Sequence, residues 1–109
     1  MRLARDDQYA IVRTAYALVR PWKRKGVAQE VEYELRIEAQ VAISPSSSLF
    51  LVLLRSALPS LDMKRASKWA SALVFADHQN IRSKRLVGFL RANGGIEGAA
   101  RQSANLREA

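Results

Sequence analysis

The sequence has 109 residues, of which 49% are apolar, and 18 Lys and Arg against ten Asp and Glu give it a net charge of +8. It contains no cysteine, which excludes disulfides and thiolate metal sites, and its longest unbroken apolar run, at residues 49–54, is far shorter than the ~20 residues that span a bilayer. These properties predict a single globular domain over residues 1–109, with no transmembrane segment, no cofactor and a cytoplasmic location.

The charge is distributed in blocks along the chain. Residues 1–26 carry +5, 27–45 carry −3, 46–80 carry +2 and 81–109 carry +4. A positive field of this size attracts polyanions, so DNA or RNA is the first expected partner, followed by an acidic protein or an anionic membrane surface. The acidic block beside the basic ones also favours self-association, for example as a homodimer.

The first predicted helix follows the acidic pair Asp6 and Asp7. Apolar residues then recur at steps of three and four, which is the spacing of one helix face. Pro21 is expected to end this helix. Lys23, Arg24 and Lys25, with Gly26, are then predicted to form a short flexible basic turn.

Residues 31–43 combine two conflicting signals. Apolar residues occupy every odd position while Glu, Arg and Gln fill most even ones, which is the alternation of a half-buried strand. The residues themselves are mostly good helix formers, and no second alternating segment offers a strand to pair with. We predict a helix, and the alternative is a strand that pairs with its counterpart in a dimer.

The second half of the chain reads as helices throughout. Residues 49–58 are apolar on almost every side and are expected to form the central, most buried helix, after a boundary at Ser44-Pro45. Residues 63–77 carry one clear apolar stripe. Residues 83–92 form the next predicted helix.

The C-terminal region follows the turn residues Asn93-Gly94-Gly95. A short helix is expected from residue 96 to about 106, with firm packing only in its first turn and a frayed end over 106–109. The predicted fold is therefore all-α, a compact bundle of five or six short helices.

Catalytic and metal sites are not indicated. His78 is the only histidine, and the most economical role for it is at the C-terminal end of a helix, near the terminal carbonyls. The Glu residues of the 27–45 block recur at steps of four, as in a solvated helix face. We therefore predict a protein that is not an enzyme and has no metal site.

Basic residues beside an aromatic ring provide the one pattern that indicates a ligand. On the 63–77 helix the cations fall opposite the apolar stripe, and Phe75 is expected to project away from that stripe among them. Cations that contact phosphates and a ring that stacks on a base are typical of nucleic-acid binding; alternatively, Phe75 packs under a neighbouring helix and the lysines form an ordinary solvated surface. The predicted nucleic-acid-binding residues are Lys23, Arg24, Lys25, Lys64, Arg65, Lys68, Phe75, Lys84, Arg85 and Arg91.

Residues 86–104 also have the layout of a helix-turn-helix segment, with a glycine-containing turn between two short helices. The likeness is too short to carry a function, and a structural C-cap is the favoured explanation of the glycines. The hypothesis from sequence is a small, non-catalytic DNA-binding protein with a regulatory or accessory role. The runner-up is a protein-interaction module that binds an acidic partner or itself.

Overall fold

The computed structural model describes residues 4–39 and 48–108. Within these ranges the chain forms six α-helices and one turn of 3₁₀ helix, with no strand. The all-α prediction is confirmed. The helices are α1 (Arg5–Lys25), α2 (Ala28–Ala39), α3 (Leu49–Ala57), α4 (Met63–His78), α5 (Leu86–Ala92) and α6 (Gly95–Glu108), and the 3₁₀ turn (Ser83–Arg85) precedes α5.

Helix α1 continues through Pro21, so the prediction that it ends there is wrong. Proline leaves one carbonyl of the preceding turn without its helical hydrogen bond, but the buried side chains Tyr16 and Val19 hold this part of the helix in the core. The helix ends instead at Gly26, which has a left-handed φ of 76°. The basic run 23–25 is consequently the last turn of a helix and not a flexible connection, and its charges suit the negative end of the helix dipole.

Helix α2 resolves the conflict between alternation and propensity in favour of the helix. Residues two positions apart lie about 200° apart on a helix, so strict alternation places apolar side chains on two opposite sides. Leu35 packs against the core, whereas Tyr33 and Ile37 are 65% and 56% exposed. The last residues of the alternating pattern, 40–43, and the predicted boundary at 44–45 lie outside the described residues.

Helices α3 and α4 begin at side-chain caps. The Ser48 hydroxyl accepts a hydrogen bond from the N–H of Leu51, and the Asp62 carboxylate accepts one from the N–H of Arg65 at 2.7 Å. Helix α3 is well buried as predicted, with only Ala57 exposed, but helix α4 makes the most extensive contacts among the described elements, against α1, α3, α5 and α6. The reason is its stripe of buried small residues beside Trp69 and Leu73, which lets the neighbouring helices approach closely.

Helices α5 and α6 are joined by a tight turn at Asn93 and Gly94. Gly94 and Gly95 have left-handed φ values of 86° and 79°, which glycine adopts without strain. Gly98 then passes directly over the turn, because a Cβ at this position would lie 2.0 Å from the carbonyl oxygen of Asn93.

The packing of α6 extends beyond its first turn, contrary to the prediction. Ala99 and Ser103 are buried, and the contact of α6 with α4 is the most extensive between any two described elements. Small side chains at these positions allow the two helices to approach closely. Helix α6 is described to Glu108, so the prediction of a frayed end over 106–109 stays a prediction.

No helix in the described part of the chain is both long and apolar enough to cross a membrane.

We expect Gly98→Ala to destabilise the protein by about 1–3 kcal/mol, because the added methyl group collides with backbone. Gly88→Ala is the matched control: Gly88 is exposed within α5, nothing lies within 4 Å of its Cβ position, and alanine is the better helix former by about 0.5–1 kcal/mol. Thermal unfolding followed by circular dichroism should show a fall in Tm for the first variant and none for the second. Equal Tm values for the two variants would contradict the close approach of α6 to the turn.

Candidate nucleic-acid interface

Four of the predicted basic residues lie together in one cleft. Lys64, Arg65 and Lys68 on α4 and Arg91 on α5 line an open depression of about 820 Å³. We call it the basic cleft. Helix α4 begins at its Asp62 cap, and this start fixes which of its faces carries the three cations. The short α5 brings Arg91 to the same place from a distant part of the sequence.

Buried apolar side chains also line the basic cleft. Tyr9 and Ile96 are buried there, and Trp69 is 3% exposed, so none of them is a free stacking platform. The guanidinium carbon of Arg91 lies 5.3 Å from the centre of the Tyr9 ring, within the range of a cation–π contact. This contact orients the charge of Arg91 at the cleft.

Two acidic side chains, Asp62 and Glu97, also line the basic cleft, and Asp62 caps the start of α4. The Glu97 carboxylate, in the first turn of α6, accepts a hydrogen bond from Lys68 Nζ at 3.0 Å. This hydrogen bond and the charge of Lys68 lower the pKa of Glu97, so the carboxylate is ionised at neutral pH. The Glu97 carboxylate thus partly neutralises the charge of Lys68. Lys64 and Arg91 are exposed at the same cleft.

Lys23, Arg24 and Lys25 lie elsewhere. Lys23 Nζ donates to the Asp77 carboxylate at the opposite end of α4 from Lys64, and 13 helical residues separate the two ends by about 20 Å. Arg24 and Lys25 are exposed beside it. The structure therefore does not bring the run 23–25 together with the basic cleft.

Lys84 and Arg85 are also outside the basic cleft. Both lie on the 3₁₀ turn before α5 and are exposed. They add positive charge to the surface without lining the depression that contains Arg91.

Phe75 is a core residue, so the prediction of an exposed ring among the cations is wrong. It is 9% exposed, and its ring centre lies 5.4 Å from that of Phe89 on α5. Periodicity placed Phe75 off the main apolar stripe of α4, but α4 has neighbours on several sides and α5 covers that face. The alternative reading, that Phe75 packs under a neighbouring helix, is the one observed.

Sequence reasoning missed Arg101, Tyr9 and Glu97 as parts of this surface. Arg101 lines a groove between α4 and α6 that adjoins the basic cleft and shares Lys64 and Lys68 with it. The spacing of Arg101 four residues after Glu97 was visible, but the last helix was expected to pack only in its first turn. Nothing in the sequence indicates that Tyr9, at the start of α1, meets α5 and α6.

The two helices and the short turn of the predicted helix-turn-helix segment are present as α5 and α6. One side of α6 packs against α4. Between residues 95 and 105 of α6, the exposed residues are Glu97, Arg101, Gln102 and Asn105. Arg, Gln and Asn are side-chain types that read base edges. Whether α6 reads DNA stays a prediction.

His78 lies at the C-terminal end of α4, next to Asp77. His78 is exposed, and both oxygens of the adjacent Asp77 carboxylate accept hydrogen bonds from cations. Among residues 4–39 and 48–108 no group of three or more His, Cys, Asp or Glu could hold a metal ion.

A hydrogen-bonded network ties α1 to the end of α4. The buried Tyr16 hydroxyl donates to the carbonyl of Ile81 and accepts from Arg20, whose guanidinium also donates to Asp77 at 3.0 Å and to Asn80 at 2.9 Å. Burial raises the pKa of Tyr16, and the Arg20 charge opposes this shift only in part. Arg20 and Lys23 thus act mainly as structural cations.

We expect the stability of the protein to fall as the pH rises above about 10, where tyrosine in the unfolded chain ionises before Tyr16 does. The Tyr16→Phe variant has no ionisable hydroxyl at this position, so its stability does not contain this pH-dependent part. At neutral pH this variant should be less stable by about 1 kcal/mol, because the hydrogen bond to Ile81 is missing, and the difference should shrink above pH 10. Urea unfolding at a series of pH values measures it, with the exposed Tyr33→Phe as control. A difference that stays constant with pH would contradict the role of Tyr16.

Comparison of the chain with protein-family models, with curated proteins and with solved structures gives no match. The function therefore has to be argued from the arrangement of the side chains.

Proposed function

We propose that the protein is a small non-catalytic nucleic-acid-binding protein that holds the phosphate backbone in the basic cleft. The observation that supports this most directly is that cations from two different helices line one cleft. Arg65 and Arg91 are 26 positions apart in the sequence, yet they line the same open depression with Lys64 and Lys68. Cations that folding brings together in this way create a local positive potential. The net charges of the four sequence blocks do not reveal this potential.

The chemistry of the cleft favours phosphate over other groups. Arg offers paired donors that match phosphate oxygens, and Lys offers a mobile point charge. Lys64 and Lys68 lie one turn apart, about 6 Å along α4, so the rim carries a row of cations suited to a ligand with repeated negative charges. The phosphate backbone of a nucleic acid carries negative charges at regular spacing. The net charge of +8 attracts such a polyanion to the protein.

The burial of Phe75 removes this ring as a platform for base stacking. Without an exposed ring at this position, the proposal rests on phosphate contacts and not on base stacking. The engagement of Asp77 with Arg20 and Lys23 supports a binding role in preference to a catalytic one, because this carboxylate is not free to orient His78. A cytoplasmic location and a regulatory or accessory role on DNA belong to the same proposal.

Replacing Lys64, Arg65 and Arg91 together by Ala is expected to weaken duplex DNA binding strongly. For duplex DNA the logarithm of the binding constant falls with the logarithm of salt concentration by about 0.9 unit per phosphate contact. Loss of three contacts should therefore make this slope shallower by up to about 2.7 units. Fluorescence anisotropy at several salt concentrations measures the slope, and single-stranded DNA and RNA of equal charge are titrated in parallel.

The control for this experiment is the triple replacement of Arg24, Lys25 and Lys84 by Ala. These exposed residues carry the same total charge but lie outside the basic cleft. If both triple variants lose binding equally, general charge and not the cleft is responsible. If the wild-type protein fails to bind any DNA or RNA at micromolar concentration in low salt, the proposal is wrong.

Glu97→Gln is expected to strengthen nucleic-acid binding, because it removes the one carboxylate that competes for Lys68 at the cleft. A gain of about two- to fivefold at low salt, vanishing at high salt, is the expected result. Glu32→Gln is the matched control, since its carboxylate also pairs with a cation, Arg36 at 3.4 Å, but on α2 away from the cleft. Equal gains for both variants would mean that only net charge matters.

A further inference from the structure

Helix α2 presents an exposed face that none of the described residues 4–39 and 48–108 covers. Tyr33 and Ile37 lie one turn apart on this face and are 65% and 56% exposed. Glu30, Glu34 and Glu38 lie beside them, also at steps of four, and are exposed as well. We call these five residues the acidic α2 face.

The alternating sequence of α2 explains why this face exists. Because alternate residues fall on opposite sides of a helix, one set of apolar residues packs inward and the other set points outward. The helix is thus built with two apolar sides, of which α1 and α3 cover one. Two large exposed apolar side chains within one helical turn form a patch of the kind that marks a binding surface.

Charge identifies the partner that fits this face. Block 27–45 carries −3, while the other three blocks carry +5, +2 and +4. The complement of an acidic helix face is a basic surface, and the protein contains one in the basic cleft, with Lys64 and Arg91 exposed.

We infer that the acidic α2 face of one copy binds the basic cleft of a second copy. A two-fold contact of α2 with itself would instead bring three carboxylates from each copy into one interface, and like charges at close range are unfavourable. A head-to-tail contact pairs opposite charges and leaves a free cleft at one end of each oligomer. The inference shares the cleft with the proposed function but not its ligand, because the cleft can hold a second copy whether or not it holds nucleic acid.

The contact is weak and sensitive to salt. Five side chains of one helix cover far less than the roughly 800 Å² per partner of a standard interface, so the complex is transient. Nucleic acid and the acidic α2 face compete for the same cations, so binding of a polyanion dissociates the oligomer. Self-association is therefore strongest in low salt without nucleic acid.

A charge-swap experiment tests the inference. Sedimentation velocity in low salt is compared for the wild type, for Glu34→Lys/Glu38→Lys and for Lys64→Glu/Arg91→Glu, with circular dichroism to confirm that each variant folds. We expect the wild type to associate and each variant alone to be monomeric, because each places like charges in the contact. An equimolar mixture of the two variants should associate again, since the intact acidic α2 face of the cleft variant meets the intact cleft of the α2 variant, and the two reversed surfaces also carry opposite charges.

The controls separate this contact from other possibilities. Asp6→Lys/Asp7→Lys makes the same charge change as the α2 variant, outside the acidic α2 face, and should leave association intact. In about 150 mM salt the wild-type association should weaken at least about tenfold relative to low salt. A monomeric wild type in low salt at high protein concentration would overturn the inference. So would association that Lys64→Glu/Arg91→Glu leaves unchanged, because a two-fold α2 contact does not use the cleft.

The outcome is independent of nucleic-acid binding. Glu34→Lys/Glu38→Lys keeps the basic cleft intact, so it should bind DNA at least as well as the wild type if the proposed function is correct. Association rescued by the mixture together with no DNA binding would refute the proposed function alone. DNA binding without association would refute the head-to-tail contact alone.

Discussion

The carbonyl of Asn93 and the Cα of Gly98 approach so closely that no side chain fits between them. This approach sets the direction in which α6 leaves α5, and so allows α6 to lie along α4. The cleft then follows from the packing, because Arg91 lies in the last turn of α5, Glu97 lies in the first turn of α6, and the three cations of α4 line the same depression. Two left-handed glycines and one helical glycine thus determine where the charges meet, although none of them is charged.

The order and kind of the elements were largely predictable from the sequence. The stripe of α4 and the turn at Asn93 and Gly94 are local signals, and local signals are what a single sequence contains. Pro21 was misread because a local rule was applied where tertiary packing decides. Burial of Tyr16 and Val19 stabilises the helix more than the proline disrupts it.

The candidate site was predictable in its residue types and not in its arrangement. Lys64, Arg65 and Lys68 could be grouped from helical spacing alone, but their proximity to Arg91 depends on how α5 packs. The same limit explains Phe75, since a ring off the main stripe is exposed only when no second helix covers it. It also explains Lys23, whose partner Asp77 lies 54 positions later, beyond the reach of any pattern.

Positive charge at the two ends of α1 affects how a polyanion approaches the molecule. The cleft includes Tyr9 near the start of α1, and α2 follows the end of α1 after Gly26, so about 24 Å of helix separates Tyr9 from Lys25. This is much of a molecule whose longest extent is 36 Å. The exposed Arg24 and Lys25 lie at the α2 end of that span, and Lys64 and Arg91 lie at the cleft end. Long-range attraction of a polyanion therefore acts at both ends of α1, so selection of the cleft depends on the contacts made after the first encounter.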